Sequence, residues 1–409
     1  MFAYFSPRWL IVALGFLSLS VAFAVRGVLG LMMPIWNESF GWSRSFLSTA
    51  GAAALIIMAL LAPAVGNLVD KSGARKPLIA GMLIIATGSG LLSLMHSASV
   101  FFLGFGIVSA LGFGIVTMSV MATAIAPLFE KNRGLAIGIT TAGATAGQLL
   151  IIPLFAYGTE RIGWRSNYAV LALICLGIAV LLWVSLKPTG PRAAAVSKEP
   201  TESVTQRLLF LVRSPIFHAL FWSFMLCGFT TAGVVETHFI PYVISCGYPP
   251  LASATAYSVL SGFNMVGMTS AGYLSDRMNR PQLLSAIYIL RAASFFLLLH
   301  ITNDLSALSI FAVAFGIFDY STVPVMANIL ASHLGTRVMG LAMGVLAMGH
   351  ALGAAAGAYL GGYIFDLYAR YTHIWTASIA LALVAGLIVL TIREIPGHQS
   401  AKRLSKSEA

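Results

Sequence analysis

Gly66-Asn67-Leu68-Val69-Asp70-Lys71-Ser72-Gly73-Ala74-Arg75-Lys76-Pro77-Leu78 is a short charged turn, broken by glycine, between two long apolar runs. A looser copy returns at Gly272-Tyr273-Leu274-Ser275-Asp276-Arg277-Met278-Asn279-Arg280-Pro281. Gly66 and Gly272 are 206 positions apart, as are Asp70 and Asp276, about half of the 409-residue chain. The sequence therefore reads as a duplication. Gly66 lets two helices approach closely near a membrane surface. Asp70 stands at a helix end, where it pairs with Arg75 or with the N-terminus of a neighbouring helix. Such a contact holds one conformation shut and releases it in another. The alternative is a solvated basic loop with no gating role, and a second copy half a chain away counts against it. Gly66, Asp70, Gly73, Arg75, Asp276 and Arg277 are the expected gating residues. Asn279 replaces the second glycine and is expected to take its positive φ.

Apolar residues make up 58% of the chain, charged residues 9%, and the mean hydropathy is +0.89. A soluble domain of this length does not have that composition. Apolar runs long enough to span a bilayer recur throughout. Twelve fit, at 9–34, 44–69, 77–96, 99–127, 134–158, 165–186, 214–243, 251–274, 281–301, 305–330, 338–365 and 372–392. The expected fold is all-α: two pseudo-symmetric six-helix bundles, 1–186 and 214–394. They are joined by a cytoplasmic linker at 187–213 and followed by a polar tail at 395–409. Within the linker, part of 201–213 is expected to form a surface helix with Leu208, Leu209 and Leu211 toward lipid.

The net charge of +11 suggests a nucleic-acid partner until its placement is read. Eighteen of the 24 Lys and Arg residues fall on one side of the expected membrane, and Arg44, Arg161, Arg165 and Arg370 fall on the other. Arg26 and Arg291 lie inside helices. This asymmetry places both termini in the cytoplasm of a multi-pass protein of the cell's inner membrane. The basic balance then marks topology and contact with anionic lipid, not a polymer ligand. Cys175, Cys227 and Cys246 offer neither a disulfide framework nor a metal spacing. No nucleotide loop, metal cluster or nucleophile motif is present, so neither an enzyme nor a cofactor is expected.

Ionisable residues inside spans are the candidate site. Arg26 lies about 18 residues, or about 27 Å of helix, beyond Arg8; it reads as an anion site or as a structural ion pair. Glu236 and His238 make the outer end of helix 7 polar and either take protons or face outer water. Pro241 kinks that helix, and Pro34 precedes it by 207 positions. Arg291 and Asp319 fall on consecutive antiparallel helices at matching depth, and a direct ion pair between them is expected. His350 interrupts a run of Gly and Ala; it is either a satisfied core histidine or a proton carrier.

The two charged turns resemble the G-x-L-x-D-[RK]-x-G signature of the major facilitator superfamily of secondary transporters. A second stretch narrows the resemblance. Phe129, Lys131, Arg133, Ala136, Gly138, Ala142, Gly143 and Gly147 follow F-x-K-x-R-x-x-A-x-G-x-x-x-A-G-x-x-x-G, which is similar to the helix-5 signature of the monocarboxylate transporters and their bacterial relatives. It repeats at Gly340, Ala342, Gly344, Gly349 and Gly353. The resemblance implies alternating access to a central site by two rocking halves. It implies a small organic anion as substrate, coupled to protons. Asp319, Glu236 and His238 are the expected proton-coupling residues, Arg26, Asn264 and His350 the expected substrate contacts, and a monomer is expected. The Asp and Arg that animal-type members carry on helix 8 are here Asn264 and Met268, which counts against lactate and pyruvate. An exporter of amphipathic compounds and a non-transporting solute sensor are the alternatives.

Overall fold

The computed structural model describes residues 7–72, 74–125, 128–129, 133–186, 204–300, 305–334 and 338–394, and every regular element among them is helical. The spans are α1 (Pro7–Phe40), α2 (Arg44–Ser72), α3 (Arg75–Ser93), α4 (98–125), α5 (133–162), α6 (164–185), α7 (Pro215–Ser245), α8 (Pro250–Ser275), α9 (Arg280–Leu298), α10 (305–334), α11 (Met339–Tyr368) and α12 (Thr372–Leu390). Ten described helices meet the length and apolarity needed to cross a membrane. One of these is α5 fused to α6, turned at Gly163 with φ 80°, a conformation that glycine alone adopts without strain. α8 is the twelfth, its apolar run diluted by Ser, Thr and Asn.

Three spans depart from the continuous helices expected. α4 opens into a π-helix at Phe102–Ser109 and breaks again at Val116. α7 has a π-helical stretch, Phe229–Val235, directly before Glu236. α10 breaks after Asp319 and restarts at Thr322. Pro324 explains that break: it has no N–H for the Tyr320 carbonyl four residues back, and its ring crowds that carbonyl. Irregular backbone at this depth persists only where neighbouring protein or a water-filled cleft satisfies it.

The two halves pack by the same device. In the first, α5 lies against α1, with Gly143 over the Phe16 carbonyl and Gly147 over the Ser20 carbonyl; Ser20 Oγ donates to the Gly143 carbonyl at 2.8 Å. In the second, α11 lies against α7, with Gly353 over the Met225 carbonyl and Gly357 over that of Phe229. Backbones this close leave no room for a Cβ.

Between the halves, α2 packs on α11, α5 on α8 and α1 on α7. α1 and α7 meet at equivalent points. Gly30 rests on the carbonyls of Glu236 and Thr237, and Pro34 and Pro241 follow each of those positions by four residues. Each proline frees a carbonyl on its own helix, so the crossing is made by matching irregularities. Contact runs from mid-depth to the end of the bundle that carries Arg44. Toward the opposite end the halves part. α8 is mostly buried over residues 253–261 and mostly exposed over 265–274, and Gly138 and Gly344 face open space.

The helix expected in the linker is present as Val204–Arg213, but Leu211 is buried against the second bundle instead of facing lipid; Leu208 and Leu209 are exposed. Residues 187–203 and 395–409 lie outside the described residues. Asn279 has φ −61°, not a positive φ; its side chain caps α9 by accepting the Gln282 N–H at 3.0 Å.

The glycine pattern of α5 thus holds two different roles, which substitution separates. Gly147→Val forces α5 away from α1 and costs about 1–3 kcal/mol by overpacking. Gly138→Ala meets nothing and leaves the thermal unfolding of detergent-purified protein unchanged. Equal unfolding temperatures for both variants would refute the packing described here.

Candidate functional site

Arg26 on α1 and Glu236 on α7 meet across the two halves. Arg26 Nη2 lies 2.5 Å from Glu236 Oε2, and the side chains are 16% and 11% exposed. The guanidinium also stands 4.8 Å from the Phe23 ring centroid. The other carboxylate oxygen, Glu236 Oε1, accepts the Tyr320 hydroxyl at 3.0 Å. Tyr320 stands in the break of α10, so the irregular turn is what brings its ring to Glu236. Of the two readings that the sequence leaves open for Arg26, the structure shows the ion pair.

Asp319, the last residue before the break, turns its carboxylate toward α8. Oδ2 accepts Asn264 Nδ2 at 3.3 Å, while Asp319 Oδ1 and Asn264 Oδ1 are buried without a hydrogen-bond partner among the described residues. The ion pair expected between Arg291 and Asp319 is not formed. Arg291 is fully buried and donates instead to backbone and sulfur: Nη2 to the carbonyls of Phe318 at 2.8 Å and Asp319 at 2.5 Å, and Nη1 to Cys227 Sγ at 2.9 Å. The reason is the broken helix. The Val323 N–H, which a continuous helix would give to the Asp319 carbonyl, goes to Tyr320 at 3.2 Å. The freed carbonyls at a helix C-terminus carry partial negative charge and take the cation.

The two histidines part company. His350 leans on the Phe224 ring with centroids 4.5 Å apart, half-buried, and lies within electrostatic reach of Glu236 and Asp319. His238 faces away from this cluster. Its Nε2 donates to the Ala358 carbonyl at 2.7 Å, and Nδ1, 3.4 Å from Tyr371 Oη, accepts that hydroxyl. Tyr371 Oη in turn accepts Arg44 Nη1 at 2.6 Å. With both ring nitrogens so used, His238 ties α7 to α11 and does not face outer water.

The same network closes the Arg44 end of the cleft. The N–H groups of Arg44 and Ser45 at the start of α2 donate to the two carboxylate oxygens of Asp366 on α11, at 3.0 and 2.7 Å. The Arg44 guanidinium lies 3.6 Å from the Phe365 centroid. An acidic side chain from one half therefore caps a helix of the other, where the helix dipole favours it.

Of the charged turns, Gly73, the surroundings of Gly66 and the side chain of Asp70 lie outside the described residues. Arg75 donates to the Trp183 carbonyl near the end of α6 at 2.6 Å. In the second copy Asp276 Oδ1 lies 3.5 Å from Asn328 Nδ2, Arg277 sits over the Tyr273 ring at 3.5 Å, and Arg280 pairs with Glu394 at 2.8 Å. Each of these partners belongs to the residue's own half.

Sequence reasoning passed over Tyr320, Tyr257, Gln148 and Asp366. For Tyr320 a signal existed, Pro324 four residues on. For Gln148 and Asp366 there was none, because their partners lie more than a hundred residues away.

A duplicated bundle of twelve spanning helices, with opposite charges meeting at mid-depth between two halves that join at one end and part at the other, is a multi-pass membrane transporter. Residues 15–301 and 265–408 match the Major Facilitator Superfamily, and the chain belongs to it. It is similar to the MFS-type transporter YcxA of Bacillus subtilis (strain 168), at 24% identity over 92% of both chains. It is also similar to monocarboxylate transporter 2 of Rattus norvegicus, at 24% identity over 98% of this chain and 86% of that one. Among solved structures, a bacterial homolog of the human lysosomal transporter Spinster, in an inward-facing and unoccupied conformation, superposes with a TM-score of 0.77 at 16% identity. That superposition covers 97% of this chain and 100% of the other.

The partners of Arg291 decide how the two charges respond to substitution. Arg291→Ala leaves two carbonyls of a broken helix unpaired, at about 1–3 kcal/mol each, and lowers the yield of folded protein. Asp319→Asn keeps the Asn264 contact and folds like the wild type. The Arg291→Ala/Asp319→Asn double variant regains nothing. Recovery of folded yield in the double variant, measured by size-exclusion chromatography in detergent, would restore the direct ion pair.

Proposed function

We propose that the protein moves a small organic carboxylate together with a proton by alternating access, as a monomer in the cell's inner membrane with both termini cytoplasmic. The observation that carries this is the Arg26–Glu236 pair. One charge comes from each half, at the depth where the cleft ends, and Arg291 is already committed to carbonyls and a thiol. Arg26 is thus the cation available to an incoming carboxylate, and a guanidinium binds a carboxylate with strong, directional hydrogen bonds.

Substrate exchange then dictates the proton. In the empty site Arg26 and Glu236 neutralise each other. A carboxylate that takes Arg26 leaves Glu236 as an uncompensated buried charge, which costs several kcal/mol unless it binds a proton. Anion and proton therefore enter together, and the loaded site is again neutral. Tyr320 keeps the Glu236 side chain in place during the exchange. Asp319, with an unpaired buried oxygen, is the neighbouring acceptor through which the proton leaves toward the cleft. His350 lies beside it as a further acceptor and substrate contact. His238, held in one tautomer, takes no part.

The distribution of basic residues supports cytoplasmic termini; on that reading the Arg44 end is the outer one and the open cleft faces inward. Opening outward requires α2 to leave Asp366. Closing inward brings the charged turns around Asp70 and Asp276 together, which gives Gly66, Gly73, Arg75 and Arg277 their role in that state. The relatives named as monocarboxylate transporters support a carboxylate as the substrate class. The change at Asn264 and Met268 argues for one other than lactate.

Liposome counterflow tests the assignment. Arg26→Ala is expected to lose carboxylate exchange. Glu236→Gln is expected to retain exchange between equal pools while a pH gradient no longer drives accumulation. Unchanged carboxylate affinity in Arg26→Ala would overturn the substrate site. Binding without counterflow in the wild type would make the protein a sensor.

A further inference from the structure

Tyr257, Ser261 and Asn264 lie on one face of α8 at the i, i+4, i+7 spacing of a helix. All three are buried, at 2%, 0% and 3% exposure. At one end of this stripe, Tyr257 is close enough to Arg26, Glu236, Tyr320 and Asp319 to interact electrostatically with each. At the other end, Asn264 holds Asp319. In the middle, Ser261 Oγ donates to Gln148 Oε1 on α5 at 3.4 Å, and Ser258 Oγ reaches the Gln148 carbonyl at the same distance. Gln148 is 2% exposed and sits on the opposite half.

The polar atoms of this stripe are not used up. Among the described residues, Gln148 Nε2 is a buried donor without a partner, and Asn264 Oδ1 and Asp319 Oδ1 are buried acceptors without one. Each such group is destabilising while unpaired. In the centre of a membrane bundle, leucine would fill these positions without that cost. The three atoms come from both halves. None of them recognises a carboxylate in the way that Arg26 does, because two of the three are acceptors. From Tyr257 to Asn264 the helix rises about 10 Å, more than a two- or three-carbon acid spans.

We propose that this stripe, with Gln148, is a second polar subsite that binds a hydroxyl or similar donor–acceptor group at the far end of the substrate. The substrate class is then a carboxylate of intermediate length with a polar terminus, its carboxylate on Arg26 and its terminus between Gln148 and Asn264. The terminal group donates to Asn264 Oδ1 or Asp319 Oδ1 and accepts from Gln148 Nε2. This inference rests on the carboxylate reading of Arg26 and deepens it. A site built to hydrogen-bond a substrate hydroxyl rejects the analogue that lacks it, because its own buried groups are then left unpaired.

The test compares two series on the full-length protein in lipid nanodiscs: straight-chain carboxylates of four to eight carbons, and their ω-hydroxy counterparts. At the best chain length the hydroxylated acid is expected to bind at least about tenfold tighter by calorimetry. Gln148→Leu and Asn264→Leu are each expected to abolish that preference, and Gln148→Leu is expected to keep the affinity for the unsubstituted acids. Equal affinity of the two series at every length in the wild type overturns the subsite and leaves Arg26 untouched. Failure of both series to bind removes the carboxylate reading, and this inference with it. Should a variant not fold, the wild-type comparison decides alone.

Discussion

Two opposite charges from different halves of a membrane protein, Arg26 and Glu236, sit 2.5 Å apart where water is scarce. Neither tolerates isolation there. At an effective dielectric constant of 20, unit charges 4 Å apart attract by about 4 kcal/mol, while stranding one of them costs several kcal/mol. The pair therefore constrains every state of the protein. Whatever separates the halves or occupies the cation must bring compensating charge; in the proposed function that set is a carboxylate with a proton.

The fold sets these charges at that depth through interruptions in its own helices. Pro34 and Pro241 loosen α1 and α7 at the crossing, and a π-helical stretch precedes Glu236. Pro324 breaks α10, which presents Tyr320 to Glu236 and Asp319 to Asn264. The break has its own cost, met by Arg291 acting as a cap from a neighbouring helix. At the Arg44 end, Asp366 caps α2 across the halves. A helix N-terminus is a local contact that forms or dissolves as a unit, so it suits the joint that the proposed function requires to open.

Much of the architecture was legible in the chain. Apolar length gives the spans, and the recurrence of glycines at an offset of 206 gives the duplication, because close helix packing admits almost no other residue. The site was legible as a set of residues but not as a set of contacts. Arg291 and Asp319 were matched as a pair because a sequence shows charges and conceals carbonyls. Only the break at Tyr320 reveals that the cation has backbone partners. Arg26 and Glu236 lie 210 residues apart, and nothing local says that they touch. His238 and Glu236 are two residues apart, yet about 200° of helical rotation sends one to α11 and the other to the central cleft. Leu211 faces the bundle because the surface helix packs by one edge, a choice made by the partner surface and not by the helix.

The central claim is that anion binding and protonation of Glu236 are one event. Proton counting on purified protein tests it directly. The carboxylate is added to weakly buffered protein near neutral pH, and the change in free proton is read with an indicator dye. The account predicts uptake of about one proton per anion bound in the wild type and none in Glu236→Gln, with anion binding retained in both. Anion binding to the wild type with no net proton change would contradict it.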